Sequence, residues 1–367
     1  KKFMNHSVVL YDNQTYYDSS EFKELLKSFE DMIYNGGTIY FDGSDIADIA
    51  DYYTLNLELD KSEIVTDYGL QLHPNNTDIL IVKANNLLLK GKKEEAKRIA
   101  YSISEEDNQE VLYIKGVIEL AYDNIDLAIE LFNKAYNISN NDLEMLSDII
   151  IQLMDHRYYN YVQAWIDVAF SISNNKDNTF YELQADLYFE TKQFEKAIEW
   201  YNKLLDKFPY DVYPWEQLGR IYFDQQEYTK AKECYDYIEA IDGDNFTASL
   251  MIADCYINMF DYSTALEKYS ILLNKNEEMA SVLNFCCGKC CYFLHDIEKA
   301  FEYLKKAEQL SDSNDTESFL IELYTLLARL YIINNDEENA LQYIYMGLSL
   351  DPENEELDLM INFTKLK

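Results

Sequence analysis

Residues 212–245 read VYPWEQLGRIYFDQQEYTKAKECYDYIEAIDGDN and hold the clearest structural signal in the chain. The first half places large and small apolar residues on one helix face, at Trp215, Leu218, Gly219 and Tyr222. After a polar run, the second half forms another such face, at Tyr228, Ala231, Tyr235 and Ile238. Gly219 and Ala231 are small where two helix axes must approach closely. The stretch therefore predicts an antiparallel helix pair, which buries its apolar faces only when similar pairs stack on it.

The same pattern returns with a fixed period around this stretch. Ala197, Ala231 and Ala265 are spaced 34 residues apart. An aromatic residue lies nine positions before each alanine and another lies four positions after it, at Tyr188, Tyr222, Tyr256, Tyr201, Tyr235 and Tyr269. A period of this length is typical of a helical repeat array.

The pattern resembles the signature of the tetratricopeptide repeat (TPR) family in Trp215-x-x-Leu218-Gly219-x-x-Tyr222, followed by Ala231 and Tyr235. The resemblance covers about residues 43–354. Over this range the chain resembles bacterial proteins made of TPRs alone. It implies an all-α fold, a right-handed superhelical solenoid of antiparallel helix pairs.

The 34-residue frame predicts nine repeats, at 43–76, 77–108, 109–142, 143–177, 178–211, 212–245, 246–279, 281–314 and 321–354. The frame is two residues short at 77–108, and the first helix of 143–177 lacks the small residue. The polar run 311–316 is expected to form a longer loop.

Both flanks are expected to cover the ends of the array. Residues 1–42 hold a leader without clear period and then a capping helix, expected to start at Asp18 and to end at Gly36-Gly37. Residues 355–367 are expected to form a C-terminal capping helix.

Composition and charge restrict the classes of partner. The chain has 367 residues with 67 acids against 31 bases, a formal net charge of −36. Nucleic acid and anionic lipid surfaces attract basic proteins, so we expect neither as a partner. The longest apolar stretch, 319–333, contains Glu322 and Arg329, so we expect no membrane insertion. A protein or peptide with a basic segment fits better, although the acids would also serve as a solvated outer surface.

The six cysteines do not have the spacing of a small disulfide framework. They favour a reducing compartment, so we expect a cytoplasmic protein without a signal peptide. Four of them lie in 286–291, where Cys287 and Cys291 occupy core positions of the repeat. A zinc site needs ligands from two converging segments, and no second cluster exists in the sequence. We therefore expect buried structural cysteines and no metal or cofactor, with a labile thiol as the alternative.

No enzymatic signature occurs in the sequence. The four histidines are scattered, and nucleotide-binding glycine motifs and zinc-protease motifs are absent. We therefore expect no catalytic residue and no enzyme.

The TPR resemblance also implies where a partner binds, because the first helix of each pair lines the concave face of TPR arrays. The residue after the small position, and the one a turn earlier, give a candidate groove at Asp148, Glu182, Asp186, Glu216, Arg220, Asp254, Phe285, Lys289 and Arg329. The first four positions are acidic, the next two are mixed, and the last three are apolar and basic. This departs from the Lys and Asn pattern of TPR domains that clamp chaperone C-termini.

A cationic peptide segment is expected near Glu182 and Asp186. Alternatively, Asp186, Arg220 and Asp254 neutralise each other along the groove. The sequence thus predicts a scaffold or adaptor that binds protein or peptide in the groove. The alternatives are a peptide-sensing regulatory protein, against which the acidic N-terminal flank weighs, and an enzyme of unrecognised type. The oligomeric state stays open.

Overall fold

The computed structural model describes residues 16–36, 39–172, 178–311 and 316–365. These ranges contain twenty α-helices and no β-strand. The chain divides into two compact units, Lys1–Trp200 and Tyr201–Lys367, and the boundary falls inside one helix.

The first unit contains α1 Ser20–Asn35, α2 Gly43–Leu55, α3 Leu59–Leu72, α4 Thr77–Leu89, α5 Lys93–Ser102, α6 Gln109–Ala121, α7 Ile125–Ile138, α8 Leu143–Asp155, α9 Tyr159–Ile172 and α10 Thr179–Glu190. The boundary helix is α11 Phe194–Lys207. The second unit continues with α12 Val212–Asp224, α13 Tyr228–Ile241, α14 Phe246–Asn258, α15 Tyr262–Leu273, α16 Ala280–Phe293, α17 Ile297–Leu310, α18 Glu317–Ile333, α19 Glu337–Leu350 and α20 Glu355–Lys365. We call the even-numbered helices α2 to α18 the A helices and their odd-numbered successors, α3 to α19, the B helices.

Each A helix is joined to its B helix by a turn of three residues. The middle residue has a φ between 58° and 76° in all nine turns, at Leu57, Gly91, Asp123, Arg157, Lys192, Gln226, Phe260, His295 and Asn335. The N–H of the third residue donates to the carbonyl five residues earlier, as Glu227 does to Tyr222 at 2.8 Å. The middle residue donates to the carbonyl three residues earlier, as Gln226 does to Phe223. These two bonds form a Schellman motif, which ends the A helix and reverses the chain direction.

Side-chain caps start most of the A helices. The cap residue has an oxygen that accepts a hydrogen bond from a backbone N–H of the first turn, at Asp42, Asn76, Asn108, Asp142, Asp211, Asn245 and Thr316. Such caps satisfy N–H groups that have no partner inside the helix. They explain why the polar loops between pairs are short and why α18 begins at Glu317, four residues before the limit drawn from the sequence.

The small positions of the repeat lie directly beneath large side chains of the B helix, as the pattern predicted. A Cβ added to Gly219 would lie 2.7 Å from Cζ of Tyr235, and one added to Gly116 would lie 2.5 Å from Cε1 of Phe132. Tyr235 and Phe132 are fully buried at these contacts. The close approach of A and B helices thus depends on the missing side chain.

The weakest predicted repeat follows the same geometry. Helices α8 and α9 are joined by the three-residue turn around Arg157. Their apolar faces belong to the largest core cluster of the first unit, where Trp165 packs edge-on against Tyr136 at 5.7 Å. Residues 173–177 at the end of this repeat lie outside the described part of the chain.

The N-terminal helix starts one residue later than predicted. Its cap is Ser19, whose Oγ accepts from the N–H of Phe22 at 3.1 Å, whereas Asp18 pairs with Lys23 at 3.5 Å. Ser19 has the extended backbone that a cap residue needs. The helix ends at Gly36 with a φ of 73°, as expected for a left-handed C-terminal glycine. Residues 1–15 and Gly37 lie outside the described residues.

The last helix, α20, packs on α19. A Cβ added to Gly347 would lie 2.5 Å from Cδ1 of Leu357, and Leu357 is fully buried. Among the helices of the described residues, none is long and apolar enough to span a membrane.

Candidate binding groove

The nine candidate residues all lie on A helices, in two sets. The first unit holds Asp148 on α8 and Glu182 and Asp186 on α10. The second unit holds Glu216 and Arg220 on α12, Asp254 on α14, Phe285 and Lys289 on α16, and Arg329 on α18.

The candidate acids of the first unit differ in how much of each side chain is exposed to solvent. Asp148 is half-buried, and its burial, with smaller effects from Glu144 and Asp142, raises its pKa to about 7. Glu182 is half-buried, whereas Asp186 is only 4% exposed. Asp148 and Glu182 can therefore meet a ligand directly, while Asp186 contributes mainly to the shape of the surface.

The first unit holds a second group of acids, outside the candidate residues chosen from the sequence. We call it the N-terminal acid cluster: Asp48, Asp51, Asp78 and Glu110, on α2, α4 and α6. Burial raises the pKa of Asp48, Asp51 and Glu110, and neighbouring carboxylates of the cluster raise each further. The sequence reasoning considered two positions per A helix, and Asp48, Asp78 and Glu110 occupy others.

Two tyrosines lie against this cluster. Tyr16 donates its hydroxyl to Asp48 at 2.9 Å, and Tyr17 donates to Asp51 at 2.8 Å. These hydrogen bonds lower the pKa of both aspartates. Burial has the larger effect, so the pKa of each is still raised. The cluster is therefore a place where carboxylates are held close together at a cost in electrostatic energy.

In the second unit, Asp254 lies between a tyrosine and a lysine. It accepts a hydrogen bond from the hydroxyl of Tyr269. Burial raises its pKa, while the Tyr269 hydrogen bond and the charge of Lys289 act in the opposite direction. Arg220 donates to Oε1 of Gln217 on its own helix at 3.0 Å. The sequence predicted mixed charge for this part of the groove, and both charged residues, Asp254 and Arg220, have hydrogen-bond partners within the unit.

Both cations at the C-terminal end have acidic partners that sequence reasoning did not name. Lys289 lies 3.5 Å from Glu322 and 5.7 Å from the ring centre of Phe285. Arg329 lies 2.5 Å from Glu356. Each partner comes from the next A helix or from α20, so only the stacking of successive pairs creates the contact. This end of the groove is therefore close to neutral in charge.

Tyr235 carries a buried hydroxyl without a hydrogen-bond partner. Its side chain is 1% exposed and its ring lies on Gly219 of α12, the helix that also carries Glu216 and Arg220. The equivalent tyrosine of the next repeat, Tyr269, donates to Asp254. At the matching position of α12 stands Arg220, which has no acceptor atom. The substitution of a donor for an acceptor explains the unsatisfied hydroxyl.

The cysteines of 286–291 are free thiols, and all except the half-buried Cys286 are buried. Burial raises the pKa of Cys287 to about 11 and that of Cys290 to about 12, and it raises that of Cys286 still further. The protonated thiol therefore predominates at neutral pH. No group of three or more His, Cys, Asp or Glu side chains within the described ranges is arranged to hold a metal ion.

These features define a class: an all-α protein of stacked antiparallel helix pairs with a charged A-helix surface. Family models of the tetratricopeptide repeat match residues 170–212, 213–242 and 321–354. The chain therefore carries tetratricopeptide repeats at these positions. The all-α fold of TPR helix pairs predicted from the sequence is confirmed.

One relative and two solved structures are similar to the chain. The tetratricopeptide repeat protein 21 homolog of Caenorhabditis briggsae is 28% identical over 194 residues, 48% of this chain and 14% of the relative. The chain thus spans about one seventh of that relative's length. The C-terminal part of a TPR protein from Cytophaga hutchinsonii has a TM-score of 0.56 at 18% identity and covers 68% of this chain and 98% of its own. A TPR protein from Parabacteroides merdae has a TM-score of 0.46 at 18% identity, covering 70% of this chain and 98% of its own. At 18% identity, the similarity to the Cytophaga structure concerns the fold alone.

Proposed function

We propose that this chain is a scaffold or adaptor that binds a protein or peptide along its A helices. Repeats of this family generally serve as protein-interaction surfaces. The crowding of carboxyl groups on the A helices of the first unit carries the proposal. Burial raises the pKa of Asp51, Glu110 and Asp148, so a partner's Lys or Arg would relieve a strain that is already present.

The partner segment is proposed to place its cationic part against Asp148 and Glu182. Asp186, which the sequence grouped with them, is too buried to be a direct contact. The residues of the second unit are proposed as a separate set of contacts.

The remaining features of the function are proposed from composition. The net charge of −36 disfavours nucleic acid and anionic membranes as partners. The free cysteines support a cytoplasmic, reducing location, and the similarity to TPR-only proteins supports a bacterial origin. We propose no catalytic role, because the sequence holds no nucleotide-binding glycine motif and no zinc-protease motif.

The nine repeat limits and the capping roles of residues 1–42 and 355–367 are likewise proposals. Each A helix begins within four residues of a predicted limit, which supports them. The packing of Leu357 against Gly347 supports a cap at the C-terminal end.

A binding experiment with matched variants tests the function. The probe is a fluorescein-labelled peptide rich in Lys and Arg, and its twin carries Glu in place of each base. The double variant Asp148→Asn, Glu182→Gln removes two proposed contacts, and Glu130→Gln, an exposed acid on α7, is the control. We expect binding of the basic peptide alone, weakening with salt, and a loss of about fivefold to thirtyfold in the double variant. Equal binding by the double variant and wild type would overturn the proposal.

A further inference from the structure

The A-to-B turns of the second unit carry an exposed apolar surface away from the groove positions. We call it the Phe260 patch: Phe260, Tyr262, Phe293 and Leu294, from two consecutive turns. Phe260 is 77% exposed, Phe293 38% and Leu294 42%. Tyr262 stacks on Phe293 with ring centres 4.7 Å apart and planes 15° apart, and Phe260 meets Tyr262 edge-on at 6.3 Å. The stack joins the two turns into one continuous surface.

The fold does not require the ring of Phe260. This residue is the middle residue of its turn and has a φ of 63°. A bulky side chain is unfavourable in this left-handed conformation, which glycine and asparagine adopt readily. Of the other eight turns, seven place glycine or a polar residue there, and Leu57 occupies the eighth. The phenyl ring is therefore kept at a strained, exposed position where it packs little against the core.

The charges around the patch indicate what covers it. Asp224 is the last residue of α12, Asp261 follows Phe260 in its turn, and Glu298 lies in the first turn of α17. The ion pairs of the described residues include none of these three acids. Hydrogen bonds from the hydroxyl and N–H of Thr264 lower the pKa of Asp261, so it stays ionised. The nearby lysines, Lys230 and Lys299, are already paired with Glu227 and Asp296. The rim of the patch is therefore negatively charged, and its two lysines already form ion pairs.

This combination excludes several occupants. A second copy of the chain carries the same net charge of −36, which opposes association. Anionic lipid and nucleic acid are repelled for the same reason. A protein segment with an apolar side chain between basic residues satisfies both the rings and the rim.

We propose that the Phe260 patch is a docking site, distinct from the groove, for a segment of another protein that has a large apolar anchor flanked by Lys or Arg. The anchor packs on Phe260 and Phe293, and the basic residues face Asp224 and Glu298. The chain would then bind two partners at once, or one partner at two places, as an adaptor requires.

The test uses a panel of fluorescein-labelled short peptides with a Leu-Trp pair flanked by Lys and Arg. Two matched panels carry Ala-Ala in the centre or Glu in the flanks. The variant Phe260→Asn removes the ring and relieves the backbone, so it folds at least as stably as wild type. Its control is Tyr210→Asn, which removes a ring that is 82% exposed in the loop before α12.

We expect members of the first panel to bind more tightly than their twins in both other panels. Phe260→Asn should weaken that binding by at least about tenfold, the loss typical of a truncated aromatic anchor, with no decrease in the thermal midpoint. Glu298→Lys should weaken it several-fold, more at low than at high salt. Tyr210→Asn, and the groove variant Asp148→Asn, Glu182→Gln, should leave it unchanged.

Two results would overturn the proposal: no Leu-Trp peptide binding more tightly than its Ala-Ala twin, or equal affinity in Phe260→Asn and wild type. Loss of binding in the groove variant instead of Phe260→Asn would assign these peptides to the groove. That result would support the proposed function and reject the patch.

Discussion

Two equivalent tyrosines should respond to the same mutation with opposite changes in stability. Tyr235 and Tyr269 occupy the same repeat position on α13 and α15, and both are fully buried. The hydroxyl of Tyr269 donates to Asp254, whereas that of Tyr235 has no partner. Replacing each with phenylalanine removes one oxygen from two closely similar sites.

The expected free energies follow from the state of each hydroxyl. A buried polar group without a partner costs about 1–3 kcal/mol, so Tyr235→Phe should raise the free energy of unfolding by about 1 kcal/mol. A hydrogen bond to a charged acceptor contributes about 1.5–3 kcal/mol, so Tyr269→Phe should lower it by about 2 kcal/mol. For a unit of this size, 1 kcal/mol corresponds to about 2–4 °C in the thermal midpoint.

Differential scanning calorimetry measures the two midpoints, and hydrogen exchange assigns each change to α13 or α15. We expect an upward shift for Tyr235→Phe and a larger downward shift for Tyr269→Phe. Equal destabilisation by both mutations would refute the reasoning, since it would mean that Tyr235 has a partner in solution.

Three more predictions follow from single residues. Asp148, with a pKa of about 7, binds a proton in the folded chain that the unfolded chain releases near pH 4. Stability should therefore fall as pH rises through this window, and Asp148→Asn should remove that fall in urea titrations at several pH values. Glu119 is buried and lies 2.9 Å from Lys97, so Glu119→Ala should cost about 3 kcal/mol in urea unfolding, against little for an exposed acid. Cys287 and Cys290 are buried, and burial raises the pKa of both, so they should react with a thiol reagent at neutral pH no faster than the chain unfolds.

The sequence predicted the helix pairs because their signal is local. Gly219 and Ala231 recur at a spacing that one pair determines by itself, and the structure places Tyr235 over Gly219 accordingly. The N-terminal cap was wrong by one residue, since Asp18 and Ser19 are both good cap residues and only the backbone conformation chooses between them.

The groove was harder to predict because its contacts join different repeats. The pairs Lys289–Glu322 and Arg329–Glu356 depend on how far successive A helices are displaced along each other. No spacing within one repeat specifies that displacement. The N-terminal acid cluster was missed for the same reason, since its members occupy different positions on three A helices.

The central claim is that a cationic partner contacts the A helices, and zero-length crosslinking tests it most directly. A carbodiimide joins a carboxyl group to a lysine only when they are in contact, and mass spectrometry identifies the joined residues. With the basic peptide as partner, we predict crosslinks at Asp148, Glu182 and the N-terminal acid cluster, and none at Glu130 on the B helix α7. Crosslinks concentrated on exposed B-helix acids, with Asp148 and Glu182 unmodified, would contradict it.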